Sequence, residues 1–115
     1  MELSQRQQLF AKYVGLLIKE IYSRGYSCTL GEAFRTPEQA EIYAKEGKGI
    51  VDSLHCQRLA IDINLFSPNG TYLTNTPDYE VFGRFWENLR ADQELRWGGR
   101  FKDRPDGNHF EMNNN

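Results

Sequence analysis

The stretch Leu59–Leu65, with the sequence LAIDINL, decides the fold because it is the clearest strand in the chain. Its aliphatic residues alternate with Ala60, Asp62 and Asn64, so the aliphatic side chains share one face of the strand and the other three share the opposite face. An aspartate at the centre of a strong strand has low strand propensity and is costly to bury without a partner. The pattern therefore predicts a strand that packs its aliphatic face on a core and presents a carboxylate in need of a partner.

A helix, a strand and a second helix are predicted before this stretch. Ser4 and Gln7 have the spacing of a capping box, and Gly25 stops the first helix. Tyr26–Phe34 has the pattern of a strand, and Thr36 then caps a second helix. The apolar face of the first helix is formed by residues at helical spacing, which are Phe10, Val14, Leu17 and Ile21.

Further elements are predicted after the stretch. Thr76 begins a third helix, and a short strand or loop begins at Trp97. His109–Met112 forms a last strand, on which His109 and Glu111 share one face. The inward face of the third helix is formed by Phe82, Phe85, Trp86 and Leu89. The resulting order α-β-α-β-α-β-β predicts an α+β domain, with a small, mostly antiparallel sheet and three helices packed on it.

Length and charge exclude several classes of protein. A chain of 115 residues is typical of one domain, so we expect a single domain over residues 1–115. Its formal net charge of −2 argues against non-specific nucleic-acid binding and against a polybasic membrane anchor. No apolar run approaches the ~20 residues of a membrane span, and the N-terminal residues lack the basic and apolar regions of a secretory signal.

The two cysteines, Cys28 and Cys56, are too few for a disulfide framework or a four-cysteine zinc site. We expect both to be unpaired residues of the core, and a single bridge between them stays an alternative. Cys56 follows His55 directly, but a Cys-His nucleophile pair needs contacting side chains, and adjacent residues usually point apart. A thiol nucleophile is therefore not expected.

Only two histidines, His55 and His109, occur in the chain. His55 precedes the central strand, Asp62 lies within it, and His109 begins the last strand. Two nitrogen ligands and one oxygen ligand, with a fourth position open, are typical of a catalytic zinc site. Spacing alone also fits two histidines that are on the surface or satisfied in the core, so both interpretations stay open at this point.

Short motifs around these residues strengthen the first interpretation. They follow in the order FRTPEQ at 34–39, SLH at 53–55, AID at 60–62, WGG at 97–99 and DGNH at 106–109. As a set, they resemble the VanY-like family of zinc-dependent D-alanyl-D-alanine carboxypeptidases and L-alanyl-D-glutamate endopeptidases, which includes phage endolysins. The resemblance extends over roughly residues 26–112. It implies a zinc cleft on the sheet, with one zinc ion bound by His55, Asp62 and His109. Arg58 departs from the family pattern, because a glycine is usual at this position.

The resemblance also implies roles for residues around the metal. It places the general base three residues before the last ligand, at Asp106, and the rivals for this role are Glu111 and Asp103. Arg35 matches a family arginine that reaches into the cleft, where a guanidinium binds a substrate carboxylate or stabilises the developing oxyanion. Ser53 is expected to contact the substrate or to support a ligand.

The function that the resemblance implies is cleavage of the stem peptides of bacterial peptidoglycan. The preferred specificity is that of an L-alanyl-D-glutamate endopeptidase acting as a phage or prophage endolysin. The alternatives are a D-alanyl-D-alanine carboxypeptidase or dipeptidase of the same family, and a non-catalytic zinc-binding module. We expect a monomer without a separate wall-binding domain. We also expect the protein to stay in the host cytoplasm until it is released to the periplasm and the wall.

Overall fold

The computed structural model describes residues 1–49, 53–92 and 94–114. Within these ranges the chain forms three α-helices and four strands in the predicted order, so the α+β class is confirmed. The elements are α1 (Leu3–Ser23), β1 (Ser27–Leu30), α2 (Pro37–Lys45), β2 (Ala60–Phe66), α3 (Glu80–Glu87), β3 (Leu95–Trp97) and β4 (His109–Met112). Short 3-10 turns occupy Leu54–Gln57, Thr76–Tyr79 and Gly98–Arg100. None of the described helices is both long and apolar enough to cross a bilayer.

The four strands form one antiparallel sheet in the order β1-β2-β4-β3. The last strand of the chain therefore inserts between β2 and β3. Its register makes His109 the direct partner of Asp62 on β2, and makes Glu111 the direct partner of Arg96 on β3. Directly opposed side chains in a sheet point to the same face. These four polar residues, distant in sequence, thus meet on one face.

The other face of the sheet forms the core with α1 and α3, as the alternation in the central strand predicted. Ile63 and Leu65 of β2 have no solvent-exposed surface. Trp86 of α3 lies edge to face between Phe10 of α1 and Phe110 of β4, with ring centroids 5.7 and 5.9 Å apart. Further buried apolar residues are Leu17, Ile21, Leu59, Ile61, Tyr79, Phe82, Leu95, Trp97 and Met112.

Trp86 also links strands β3 and β4 by hydrogen bonds. Its indole Nε1 donates to the backbone carbonyl oxygens of Arg96 on β3 and Glu111 on β4, at 3.0 and 3.1 Å. An indole N–H that is fully buried needs an acceptor, and here it has two. This buried tryptophan therefore fixes the backbone of Arg96 and Glu111, whose side chains lie on the polar face of the sheet.

Several predicted boundaries are wrong. The N-cap of α1 is Glu2, whose capping box uses Gln5 rather than the Ser4 and Gln7 pair. Strand β1 ends at Leu30 rather than Phe34, because the chain makes two further backbone hydrogen bonds to Asp62 and then turns away from the ladder. Thr36 does cap α2 as predicted, since its hydroxyl accepts from the backbone N–H of Gln39.

Three other expectations also need correction. The third helix does not begin at Thr76 as an α-helix, because Thr76–Tyr79 forms a 3-10 turn before α3. The strand expected to begin at Trp97 ends there, and the two glycines that follow lie in a 3-10 turn. Cys28 and Cys56 are unpaired, as expected, but they are half-buried rather than part of the fully buried core.

Candidate metal centre

His55 is held by a short turn that precedes β2. Ser53 caps this turn, because its hydroxyl oxygen accepts from the backbone N–H of His55 at 3.2 Å. The imidazole is 2% exposed. The backbone carbonyl of His55 accepts from the N–H of Arg35 at 3.2 Å, which joins the turn to the segment ahead of α2. His55 is thus fixed by local capping and by a contact between two distant segments.

Arg58 ends this turn in the left-handed region, with φ 57° and ψ 37°. This conformation favours glycine and costs an ordinary residue roughly 1 kcal/mol or more. The arginine nevertheless keeps the turn that leads from His55 into β2. Its guanidinium stacks over the ring of Phe34, with the Cζ atom 4.1 Å from the centroid. The departure from the family pattern therefore leaves the local backbone in the conformation that a glycine adopts easily.

The structure brings His55, Asp62 and His109 together. Oδ1 of Asp62 lies 3.3 Å from Nε2 of His55 and 3.4 Å from Nδ1 of His109. One ligand atom from each residue falls within 4.8 Å of the others. The two imidazole rings meet edge to face, with centroids 5.0 Å apart. The arrangement therefore aims two nitrogens and one oxygen at a common point.

This donor set fits a tetrahedral metal ion. Ligands at 2.0–2.1 Å from zinc in a tetrahedron stand about 3.3 Å from one another, which matches the separations of the Asp62 oxygen from the two ring nitrogens. The two nitrogens lie within 4.8 Å of each other. Although Oδ1 of Asp62 is this close to two nitrogens, it is buried and makes no hydrogen bond. Nδ1 of His55 is likewise buried and unpaired. Buried polar atoms without partners are rare, and convergence on a cation accounts for the Asp62 oxygen.

Charge coupling among these groups is strong. Burial alone raises the pKa of the Asp62 carboxyl, but the neighbouring His109 and His55 outweigh it and lower this pKa to about 2. Burial lowers the pKa of His109, but Asp62 and Glu111 outweigh it and raise this pKa to about 9. The carboxylates thus favour positive charge at this point of the cleft, which is the condition for holding a cation.

Glu111 supports His109 from the side away from Asp62. Its Oε1 lies 2.7 Å from Nε2 of His109, and its Oε2 pairs with the guanidinium of Arg96. Burial raises the pKa of Glu111, but His109 and Arg96 outweigh it, so the pKa lies below its ordinary value. Both oxygens are therefore engaged, and the carboxylate is placed to orient the imidazole rather than to accept a proton from the cleft.

Asp106 lies on a tight turn just ahead of β4. Its backbone N–H donates to Gly98 at 2.9 Å, and its carbonyl accepts from the N–H of His109 at 3.2 Å. The indole of Trp97 donates to the carbonyl of Gly107 at 2.7 Å and fixes the same turn. A Cβ at Gly98 would lie 2.2 Å from the Asp106 carbonyl oxygen, so this close approach requires glycine. The WGG motif thus holds the aspartate beside His109.

The side chain of Asp106 is exposed to the cleft, and partial burial raises the pKa of its carboxyl. A raised carboxyl pKa suits a group that accepts and returns a proton near neutral pH. Asp103 is exposed and does not line the cleft among the described residues. Of the three candidate bases, Asp106 therefore has the position and the environment that the role needs.

The three candidate ligands lie in a cleft with a volume of about 640 Å³. Arg35 and Ser53 line it. The Arg35 Nε donates to Oε1 of Glu32 at 2.7 Å, and its Cζ lies 4.9 Å from the ring centroid of Tyr43. Three more cations line the cleft, namely Lys48, Arg96 and Arg104. The walls are thus basic around an acidic and imidazole-rich floor.

Two residues of this site, Glu32 and Arg96, were missed by the sequence reasoning. Arg96 directly precedes the WGG motif, but its contact with Glu111 depends on the β3–β4 register. Glu32 stands three residues before Arg35, but the two lie in an irregular segment between β1 and α2. Because three-residue spacing brings side chains together reliably only on a helix, no local signal pointed to Glu32.

Comparison with known proteins identifies the family. The model of a family described as D-alanyl-D-alanine carboxypeptidase matches residues 46–112, which is more than half of the chain. No curated protein matches. The fold is similar to the crystal structure of the Serratia marcescens L-Ala D-Glu endopeptidase ChiX, with a TM-score of 0.62 and 20% identity. The similarity covers 75% of this chain and 66% of that chain, so this chain spans slightly less than two thirds of that structure's length. The family match covers the turn of His55, both ligand-bearing strands and the WGG motif, and the chain therefore belongs to this family of metallopeptidases.

Proposed function

We propose that this protein is a zinc-dependent peptidase that cleaves the stem peptides of bacterial peptidoglycan. The observation that carries the proposal is the convergence of His55, Asp62 and His109, whose ligand atoms lie within 4.8 Å of one another on the floor of an open cleft, with a buried carboxylate oxygen that makes no hydrogen bond. Three protein ligands and an open fourth position are typical of catalytic rather than structural zinc. Membership of a metallopeptidase family agrees with this chemistry.

Several residues of the cleft have roles in this proposal. His55, Asp62 and His109 would hold a zinc ion, which would supply Lewis acidity for the scissile carbonyl and would lower the pKa of water to about 7. The carboxylate of Asp106 accepts a proton from the attacking water and returns it to the leaving amine. The guanidinium of Arg35 faces the substrate as a cation for a carboxylate or for the developing oxyanion. Ser53 holds His55 through the capped turn.

We further propose that the scissile bond joins L-alanine to D-glutamate. Similarity of fold to an L-Ala D-Glu endopeptidase supports this specificity. The basic cleft wall is compatible with it, because D-glutamate contributes a free carboxylate next to that bond, as the terminal D-alanine of the rival substrate also does. The second candidate is a D-alanyl-D-alanine carboxypeptidase, which the description of the matching family favours.

The biological setting is a separate proposal that rests on the resemblance to phage endolysins. In it, residues 1–115 act as a single, monomeric peptidase domain. The protein stays in the host cytoplasm until a membrane lesion gives it access to the periplasm and the wall. Lysis of cells after co-expression with a membrane-permeabilising protein, and no lysis without that protein, is the expected result. Lysis that needs no second protein would contradict this setting.

The function is tested by mass spectrometry of purified Gram-negative peptidoglycan after digestion, with and without a chelator. We expect chelator-sensitive release of stem peptides that begin at D-glutamate. Loss of terminal D-alanine would instead identify a carboxypeptidase. The matched control is Asp106→Asn, which keeps the size of the side chain but removes the base. If zinc-loaded wild-type protein releases nothing from peptidoglycan or from short stem peptides, the chain is a zinc-binding module and the enzymatic proposal fails.

A further inference from the structure

One buried nitrogen beside the metal centre lacks a hydrogen-bond partner. Nδ1 of His55 belongs to a side chain that is 3% exposed, and it makes no hydrogen bond. The other ring nitrogen, Nε2, faces Asp62. When Nε2 of an imidazole binds a metal, the ring proton must be on Nδ1, and a buried N–H without an acceptor is costly. The geometry therefore requires an acceptor on the Nδ1 side.

Glu32 is the carboxylate placed to accept this proton. Its Oε1 lies 3.7 Å from Nδ1 of His55, which is slightly beyond hydrogen-bond length. Its backbone is fixed, because the carbonyl of Glu32 accepts from the N–H of Asp62 at 3.0 Å. The preceding Gly31 donates to the carbonyl of Asp62 at 2.8 Å, and a Cβ there would press on the Asp62 Cβ at 3.0 Å. Glu32 is thus attached to the strand that carries a ligand.

Arg35 holds the carboxylate of Glu32 in this position. Its Nε donates to Oε1 of Glu32 at 2.7 Å, and the Arg35 side chain is 12% exposed. The stack on Tyr43 fixes the guanidinium from the other side. A half-buried, charge-assisted contact of this kind restricts the carboxylate far more than an exposed ion pair does.

The opposite side of the centre has the same order of groups. There, Arg96 holds Glu111, and Glu111 contacts the ring nitrogen of His109 that points away from Asp62. His109 uses Nδ1 toward Asp62 and Nε2 toward its carboxylate, whereas His55 uses the nitrogens in the reverse order. On the side away from Asp62, each imidazole therefore has a glutamate carboxylate as its neighbour, and an arginine pairs with that carboxylate.

We propose that Glu32 is a positioning residue, which accepts the Nδ1 proton of His55 and so presents Nε2 to the metal, while Arg35 holds Glu32 in place. The proposal rests on the metal centre of the proposed function. It gives Arg35 a structural task in addition to its place in the cleft. Carboxylates that bind the second nitrogen of a metal-binding histidine typically change metal affinity by 10–100-fold when removed.

Zinc affinity tests this proposal by competition with a chromophoric chelator. We expect Glu32→Ala to weaken zinc binding by about 10–100-fold. Glu32→Gln keeps an oxygen acceptor and should restore the affinity to within about threefold of wild type. The control is Glu20→Ala, which removes an exposed ion pair with Arg24 far from the cleft and should leave the affinity unchanged. Equal affinity of wild type and Glu32→Ala would overturn the proposal.

A spectroscopic readout separates positioning from a merely structural effect. The chain has only two histidines, so the imidazole region of a nitrogen-15 spectrum reports on the centre alone. In zinc-loaded wild type, both the Nδ1 proton of His55 and the Nε2 proton of His109 should exchange slowly. In Glu32→Ala, only the His55 signal should be lost to exchange. Persistence of that signal, or loss of both signals, would contradict the assignment.

Failure of this proposal is distinguishable from failure of the proposed function. If wild type binds zinc and the Glu32 variants behave as expected, but no peptidoglycan is cleaved, the positioning role stands and the peptidase proposal falls. If peptidoglycan is cleaved and Glu32→Ala matches wild type in affinity and spectrum, the positioning role falls alone. A wild-type protein that binds no zinc would overturn both.

Discussion

Asp62 and His109 are direct partners across β2 and β4, and their facing ligand atoms lie 3.4 Å apart. Two of the three candidate ligands are therefore set by the register of a sheet whose opposite face is the hydrophobic core. A one-residue slip of either strand would send one of these side chains into the core, so the register is strongly specified. The third ligand, His55, is joined to this pair by a capped turn. Rigid strands thus provide the preorganisation that a catalytic metal centre needs.

Asp106→Asn is expected to lower peptidoglycan hydrolysis by about 10²–10⁴-fold, the usual contribution of a general base, without loss of zinc. The measurement is the rate of product release together with the metal content of each protein. Asp103→Asn is the control, because this neighbouring aspartate is exposed and lies outside the described cleft lining. The opposite result, with Asp103→Asn inactive and Asp106→Asn active, would reassign the base.

Gly98→Ala is expected to reduce hydrolysis by about 100-fold, because a new Cβ would clash with the Asp106 carbonyl and with Cβ of His109. The clash should also lower the free energy of unfolding by about 1–3 kcal/mol. Gly15→Ala on α1 is the control, since a Cβ there meets nothing within 4 Å. It should raise the free energy of unfolding by about 0.5–1 kcal/mol. Chemical denaturation and rate measurements check both variants, and an active Gly98→Ala would show that the turn is not critical.

Cys56→Ser is expected to leave hydrolysis within about twofold of wild type, because it keeps the size of a half-buried side chain that is outside the described cleft lining. The Cys56 thiol faces the carbonyl of Thr36, at 3.9 Å from the sulfur, and does not line the described cleft. Rate measurements with and without a thiol-modifying reagent on wild type complete the comparison. Complete loss of activity in Cys56→Ser would revive a thiol nucleophile.

Zinc is expected to stabilise the folded protein. A ligand that binds only the native state at a concentration of 100 times its Kd adds about 2.7 kcal/mol. For a domain of this size, that corresponds to a rise in Tm of about 10 °C. Thermal unfolding of metal-free and zinc-loaded protein measures the shift, and Asp62→Asn should show little of it. A shift of the same size in Asp62→Asn would mean that zinc binds elsewhere.

The sequence was most informative where a local pattern carries the information. The alternation in Leu59–Leu65 predicted both a core face and the outward Asp62, and the structure has both. Boundaries were less predictable, because they depend on contacts that local patterns do not encode. Strand β1 ends early since the chain leaves the ladder after pairing with Asp62. The helix expected at Thr76 begins instead as a 3-10 turn.

The contacts that Glu32 makes beside the metal centre could not be predicted, because they also depend on contacts that local patterns do not encode. The motifs pointed to His55, Asp62 and His109, and the structure brings these residues together. Glu32 approaches His55 only because β1 pairs with β2 and the chain then continues beside Asp62. Such relationships across distant segments are properties of strand register rather than of sequence spacing.

The most direct test of the central claim is the zinc stoichiometry of the metal-free protein after titration, measured for wild type and for His109→Ala. Circular dichroism on both proteins establishes that they are folded. The account predicts one tightly bound zinc ion per wild-type chain. It predicts a loss of at least about 100-fold in affinity for His109→Ala, because one of three protein ligands is removed. Equal stoichiometry and affinity in the two proteins would contradict the metal centre at His55, Asp62 and His109.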